Sequence, residues 1–209
     1  MKAMIFAAGL GTRLKPLTDT LPKALVPVCD KPLIEHVARK LQAAGVGEVV
    51  VNIHCFADKV EQWIESQDWI SLSRENAGAG KMLFEISDER ELLLETGGAV
   101  LHARRFLEGC GRFLIHNVDI LSNCDIHWFE SQVKDDALAT LLVSERKTSR
   151  FLLFDHDTKL RYFHQYLLFS HEFYLLAMMK IFRNTGNPSW LVSLVPFVVL
   201  VSVLVVVIK

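Results

Sequence analysis

Neither sign of charge dominates this sequence. Lysine and arginine number 23 against 24 aspartates and glutamates, a net charge of −1. A surface built throughout for nucleic acid is therefore excluded, and any phosphate-binding charge must be gathered in one place. Cysteine is sparse: Cys29, Cys55, Cys110 and Cys124 stand far apart with no Cys-x-x-Cys pair, and no His-Glu-x-x-His occurs. The usual zinc-ligand spacings are thus absent, and reduced, mostly buried thiols are expected. The apolar stretch from Ala3 to Ala8 stops at Gly9, short of the ~7–15-residue core of a secretory leader, and runs into Arg13 and Lys15. It reads as a buried first strand and predicts a cytoplasmic protein.

The 209 residues suffice for one well-buried α/β domain with at most a short appendage. Apolar runs of strand length alternate with helical patterns, the signature of a mainly parallel sheet covered by crossover helices. After the first strand, Pro32 opens a helix whose Leu33, Ile34, Val37, Ala38 and Leu41 share one face, with Gly45 placed to end it. Glu48 to Ile53 reads as a strand and Ala57 to Ser66 as a helix with Val60, Trp63 and Ile64 inward. Strand-like stretches follow near Trp69 to Ser73 and Met82 to Ile86. Gly97-Gly98 leads into a helical pattern over Ala99 to Leu107, and Arg112 to His116 is another buried strand. Ala137 to Ser144 and Arg150 to Phe154 complete the sheet, and Asp155 to Thr158 reads as a turn. His54, His116, Trp63 and Trp69 fit packing or strand-end roles, and Glu61 and Glu65 a solvated helix face.

The segment Gly9-Leu10-Gly11-Thr12-Arg13-Leu14-Lys15-Pro16 directly follows the first strand. Its glycines let backbone amides converge on an anion without Cβ interference. It is not a dinucleotide fingerprint, because Leu14 stands where the third glycine belongs, and it is not a Walker loop, because no Gly-Lys-Ser/Thr follows. Two cations frame it: Arg13, able to fork onto phosphate oxygens, and Lys23, a compact point charge within Leu21-Pro22-Lys23-Ala24. The bland alternative is an ordinary strand-to-helix connection with surface cations. Asn117-Val118-Asp119 sits where a strand stops, the place where open α/β sheets bind ligands. Its bland alternative is an aspartate capping a turn, as a capped helix start is for Glu95-Thr96-Gly97-Gly98.

Taken in order, these separated motifs resemble the signature of the sugar-1-phosphate nucleotidyltransferases over residues 1–162, most closely the N-acetylmuramate-1-phosphate uridylyltransferases and mannose-1-phosphate guanylyltransferases. The resemblance implies a Rossmann-like fold of the nucleotide-diphospho-sugar transferase type. It implies transfer of a nucleoside monophosphate from UTP or GTP to a sugar 1-phosphate, with Mg²⁺ as cofactor and no nucleic-acid partner. In the implied roles, Ala8, Gly9, Gly11, Thr12 and Arg13 hold the triphosphate and Lys23 bridges phosphates at the reacting centre, Arg13 and Lys23 being the catalytic cations. Glu95, Thr96, Gly97 and Gly98 receive base and ribose, Asn117 shapes the substrate pocket, and Asp119 binds the metal. The family carries glycine where Val118 stands.

The pattern changes after Tyr162. From Phe163 on, only Glu172, Lys180, Arg183 and Lys209 are charged and Gly186 is the one glycine, while Trp190 to Ile208 is an uncharged run of 19. The family's later strand with a second metal-binding carboxylate has no counterpart there, and Asp155 and Asp157 are poor substitutes. One incomplete nucleotidyltransferase domain over 1–162 is therefore expected, followed by an atypical hydrophobic tail over 163–209. The tail is either an out-of-frame or substituted terminus, a membrane anchor close to the ~20 residues a spanning helix needs, or a hydrophobic element packed on the domain. The lost carboxylate leaves a catalytically impaired nucleotide-binding module as the alternative function.

Overall fold

The chain starts with β1 (Lys2–Phe6), which lies between two parallel neighbours, β4 (Glu48–Ile53) and β7 (Phe113–Asn117). A strand covered on both faces must be apolar throughout, and its side chains divide by parity. Ala3 and Ile5 enter one buried cluster and Met4 the other, and β4 repeats the division with Val49, Val51 and Ile53 against Val50. The computed structural model describes residues 1–77, 80–143, 151–154, 160–164, 198–200 and 205–208.

The first cluster is closed by α1 (Leu33–Ala43), α2 (Ala57–Glu65) and α5 (Ile126–Ser131), the second by α3 (Glu95–His102) and α4 (Arg104–Leu107). Leu33, Ile34, Val37, Ala38 and Leu41 are the buried face of α1, as the spacing predicts. Each fully buried Leu, Ile or Val contributes about 1.5–3 kcal/mol, so this face alone anchors the helix. Gly45, at φ 75°, ends the segment, and Pro32 caps it from the residue before its first turn. The antiparallel pair β2 (Pro27–Val28) and β3 (Lys31–Pro32) precedes it, joined through Cys29 and Asp30, both at positive φ.

Met1–Leu142 with Leu204–Lys209 is one structural unit and Val143–Val203 another. In the first, β5 (Ile70–Ser71), β6 (Met82–Asp88), β8 (Ala139–Leu142) and β12 (Val205–Ile208) complete a seven-stranded sheet in the order β5-β6-β4-β1-β7-β12-β8. It is the mainly parallel sheet flanked by helices that the alternation predicts. β12 runs antiparallel to both neighbours. In the second unit, β9 (Phe151–Phe154) pairs antiparallel with β10 (Leu160–His164) and β11 (Val198–Leu200).

The division expected at residue 162 thus differs from the division by contacts. Of the run from Trp190 to Ile208, the described pieces are the strands β11 and β12. No helix among the described residues is long and apolar enough to cross a membrane. Asp155, Asp157 and Glu172 lie outside the described residues, as does the expected turn at 155–158.

One buried polar residue of the sheet makes stability depend on pH. His116, on β7, is almost fully buried. Its Nδ1 donates to the Asn117 carbonyl at 2.8 Å, while Nε2 has no hydrogen-bond partner among the described residues. Burial lowers its pKa below the usual 6.5. The Asn117 carbonyl and Asp119 oppose the shift and Lys40 adds to it. The native state therefore keeps the ring neutral while the unfolded chain takes up a proton as pH falls through about 6.5. This contribution is complete above that pH and is lost progressively below it. Urea unfolding between about pH 8 and pH 5 should show a decline in stability that is shallower in His116→Leu.

Candidate functional site

Strand order reverses beside β1: the chain moves from β1 to β4 and β6 on one side and returns to β7 on the other. The carboxyl ends of β1 and β7 therefore open the crevice in which α/β sheets bind ligands. The glycine loop leaves β1 there and Asp119 leaves β7, with Phe6 opposite Asn117 in register and Val118 N donating to Phe6 O at 3.2 Å. Val118 is fully buried and is not among the residues at positive φ. At this turn the side chain fills core space and glycine is not required.

The loop closes over three short 3-10 turns, Thr12–Leu14, Leu17–Asp19 and Lys23–Leu25. Gly11 needs to be glycine twice over. Its φ is 64°, and a Cβ there would stand 2.7 Å from Thr18 Cγ2 and 3.1 Å from Lys23 Cβ. Thr18 Oγ1 donates to Gly11 O at 2.9 Å, which locks the fold-back. A Cβ on Gly9 would lie 3.1 Å from Lys23 Nζ, so the lysine amine lies directly against the loop.

Both cations reach the same carboxylate oxygen. Lys23 Nζ is 3.3 Å and Arg13 Nη2 4.0 Å from Asp119 Oδ2. Their freedom differs: the Lys23 side chain is 14% exposed and Arg13 81%. Lys23 is a fixed charge in a site of reduced dielectric, where its field counts most. Arg13 is held only loosely, since an exposed pair at this distance contributes little. Behind Asp119, Lys40 donates to both the carbonyl and the hydroxyl of Ser122 at 2.8 Å, tying the post-strand segment to α1. Burial lowers the Lys40 pKa, and Cys124 and Asp125 act against the shift.

The structure thus brings Gly9, Gly11, Arg13, Lys23 and Asp119 together, with Thr12 opening the first 3-10 turn. Asn117 ends β7 beside them, its carbonyl accepting from His116 Nδ1 and from Ile120 N. Ala8 commits its amide inward, to Asn52 Oδ1 at 3.4 Å, as Ala7 does at 2.8 Å. Glu95, Thr96 and Gly97 are exposed and form the first turn of α3, with Glu95 at φ 57°. Gly98 is packed close, a Cβ there falling 3.0 Å from Leu94 Cβ. Leu94, just before these four residues, connects to Ala7 and Ala8 through buried Glu89 and Asn52, two residues that the motif reading passes over. The signal for Asn52 is present, an amide inside the apolar strand Glu48–Ile53. Glu61, at the surface of α2, pairs there with Arg90 Nη2 at 2.8 Å.

Gly11→Ala should cost about 1–3 kcal/mol in urea unfolding, from strain and contact together. Gly45→Ala serves as its control, sharing a positive φ but opening onto free space. Equal losses in the two variants would show that the loop contact contributes nothing.

Comparison with known proteins bears on the same residues. The nucleotidyl transferase family profile matches residues 2–158. The chain is 47% identical over 117 residues to N-acetylmuramate alpha-1-phosphate uridylyltransferase of Caulobacter vibrioides, covering 56% of this chain and 45% of that protein. It is 33% identical over 134 residues to the catalytic subunit beta of mannose-1-phosphate guanylyltransferase from Xenopus tropicalis, covering 64% and 34% respectively. This chain therefore spans less than half the length of these curated relatives. Among solved structures, HddC from Yersinia pseudotuberculosis complexed with GMP-PN superposes with a TM-score of 0.59 at 26% identity, over 78% of this chain and 68% of that one. With its motifs gathered at the carboxyl edge of a sheet of this kind, the chain belongs to the nucleotidyl transferase family.

Proposed function

We propose that the chain transfers a nucleoside monophosphate from a nucleoside triphosphate to a sugar 1-phosphate, releasing pyrophosphate. The convergence of Lys23 and Arg13 on Asp119 Oδ2 beneath the glycine loop carries this reading. A phosphate oxygen of the sugar 1-phosphate attacks the α-phosphorus in line. The bond from that phosphorus to the bridging oxygen breaks, and pyrophosphate leaves with the electron pair. Such a reaction needs alignment and charge neutralisation more than covalent help from the protein. Lys23, fixed against Gly9, neutralises charge at the reacting phosphate, and Arg13, free to swing, follows the departing pyrophosphate. Loop amides orient the triphosphate, and the first turn of α3 receives base and ribose.

Asp119 fits Mg²⁺ as a protein ligand. It is a strand-end carboxylate, 26% exposed, and no group of three His, Cys, Asp or Glu side chains gathers among the described residues. One carboxylate with waters and substrate phosphates is a donor set that Mg²⁺ commonly accepts. When bound, the ion supplies charge neutralisation at the phosphates. The chain's own part is to present Asp119 and to keep Lys23 and Arg13 close enough to exchange that carboxylate for phosphate oxygens.

The stronger identity to the Caulobacter uridylyltransferase supports UTP and N-acetylmuramate 1-phosphate as the leading pair, ahead of GTP and mannose 1-phosphate.

The test is pyrophosphate release across pairs of triphosphate and sugar 1-phosphate. Release should require Mg²⁺ and both substrates. Lys23→Ala and Asp119→Ala should each lower kcat by about 10²–10³, and Arg13→Ala by less. No release across the panel from chain that still binds nucleotide would overturn the enzymatic reading.

A further inference from the structure

Asn52 and Glu89 are each 3% exposed, yet both are polar, and neither has a part in the chemistry above. Burying an amide and a carboxyl group without partners is costly. Here every contact is directional. Asn52 Oδ1 accepts from Ala7 N at 2.8 Å and from Ala8 N at 3.4 Å, and its Nδ2 donates to Glu89 Oε1 at 2.9 Å. Glu89 Oε2 in turn accepts from Leu94 N at 3.3 Å. The Glu89 backbone is itself pinned to the end of β4, its amide donating to Ile53 O at 2.8 Å and its carbonyl accepting from His54 Nδ1 at 2.6 Å.

The two ends of this relay are significant. Ala7 and Ala8 follow the last residue of β1 and immediately precede Gly9, so their amides have left the sheet ladder. Leu94 immediately precedes Glu95 and the first turn of α3, where helix amides lack partners within the helix. One buried pair thus satisfies the chain on both arms of the crevice and sets the distance between them. An apolar pair of the same volume would fill the space but leave the Ala7, Ala8 and Leu94 amides without these acceptors and unfixed in direction.

We propose that Asn52 and Glu89 are a positioning pair that holds the glycine loop and the start of α3 in register, so that nucleotide affinity depends on their hydrogen bonds. This rests on the nucleotide reading of the site given above. It predicts that the polarity of the pair can be reversed without loss. With Asp at 52 and Gln at 89, one Asp oxygen accepts from Ala7 and Ala8 while the other accepts from the Gln amide. The Gln oxygen then accepts from Leu94. Every hydrogen bond and the net charge are conserved. Each single change breaks the relay: Asn52→Asp sets carboxylate oxygens face to face, and Glu89→Gln has one acceptor where two are needed.

The experiment compares the full chain with Asn52→Asp, Glu89→Gln and the double variant. It measures Mg²⁺-UTP and Mg²⁺-GTP affinity by calorimetry, thermal midpoint, and hydrogen exchange of the Ala8 and Leu94 amides. Each single variant should weaken binding about tenfold or more and speed exchange at both amides. In pyrophosphate release, KM for the triphosphate should rise while kcat changes little. The double variant should recover affinity and protection to within about threefold of the parent. If Asn52→Asp fails to fold, Glu89→Gln and the double variant carry the comparison. Folded single variants that bind as the parent does, or a folded double variant that recovers midpoint but not affinity, would overturn the pair's role. A parent chain that binds no nucleotide would instead overturn the reading of the site itself.

Discussion

One carboxylate, Asp119, is kept within reach of two cations at an edge where backbone amides also gather. The rest of the fold is arranged around that constraint. Because β1 and β7 are parallel neighbours ending together, the loop after one and the turn after the other face the same crevice. Lys23 cannot leave, being pressed against Gly9 on one side and Asp119 on the other. The carboxylate offsets the charge of the largely buried Lys23, and on the proposed function phosphate oxygens take its place.

Apolar burial builds the sheet, but polar burial aligns it. Apolar packing is not directional, whereas the hydrogen bonds of Asn52, Glu89 and His54 fix the strand ends in direction. These residues lie at the carboxyl ends of the strands, next to the crevice. The opposite ends carry a looser network. There Glu48 pairs with Lys2 at 3.0 Å and Arg74 at 3.2 Å, and Arg74 pairs with Glu85 at 2.8 Å. The Lys2 and Arg74 charges hold the Glu48 carboxyl below its usual range against the opposing effect of burial. Such half-exposed pairs contribute modestly to stability, and no loop of the crevice depends on them.

What the sequence made legible follows from range. α1 could be read to the residue on its buried face because a 3.6-residue period is local, and β4 because an unbroken apolar strand announces itself. The order of motifs along the chain sufficed to expect that Arg13, Lys23 and Asp119 share a site. Asn52 and Glu89 escaped because their meaning is a pairing between the ends of two strands, which no spacing encodes. Val118 raised doubt through a family habit, and the structure removes it: the residue continues the backbone pairing to Phe6 and buries its side chain. The valine-rich end of the chain has the composition of a strand and the length of a span. Composition describes its described pieces better, because β11 and β12 are short strands.

That last strand bears on the chemistry. β12 takes the place next to β7, antiparallel, with Val205 opposite His116 and Ile208 opposite Phe113. The Val205 end of β12 thus lies toward the end of β7 from which Asp119 follows. Its residues, Val205-Val206-Val207-Ile208, pair with β7 and β8 and include no carboxylate. On the proposed function, neutralising a triphosphate at this crevice falls on Lys23 together with the ion that Asp119 would hold. A fixed lysine suits that burden, since a preorganised charge needs no reorganisation as the reaction proceeds.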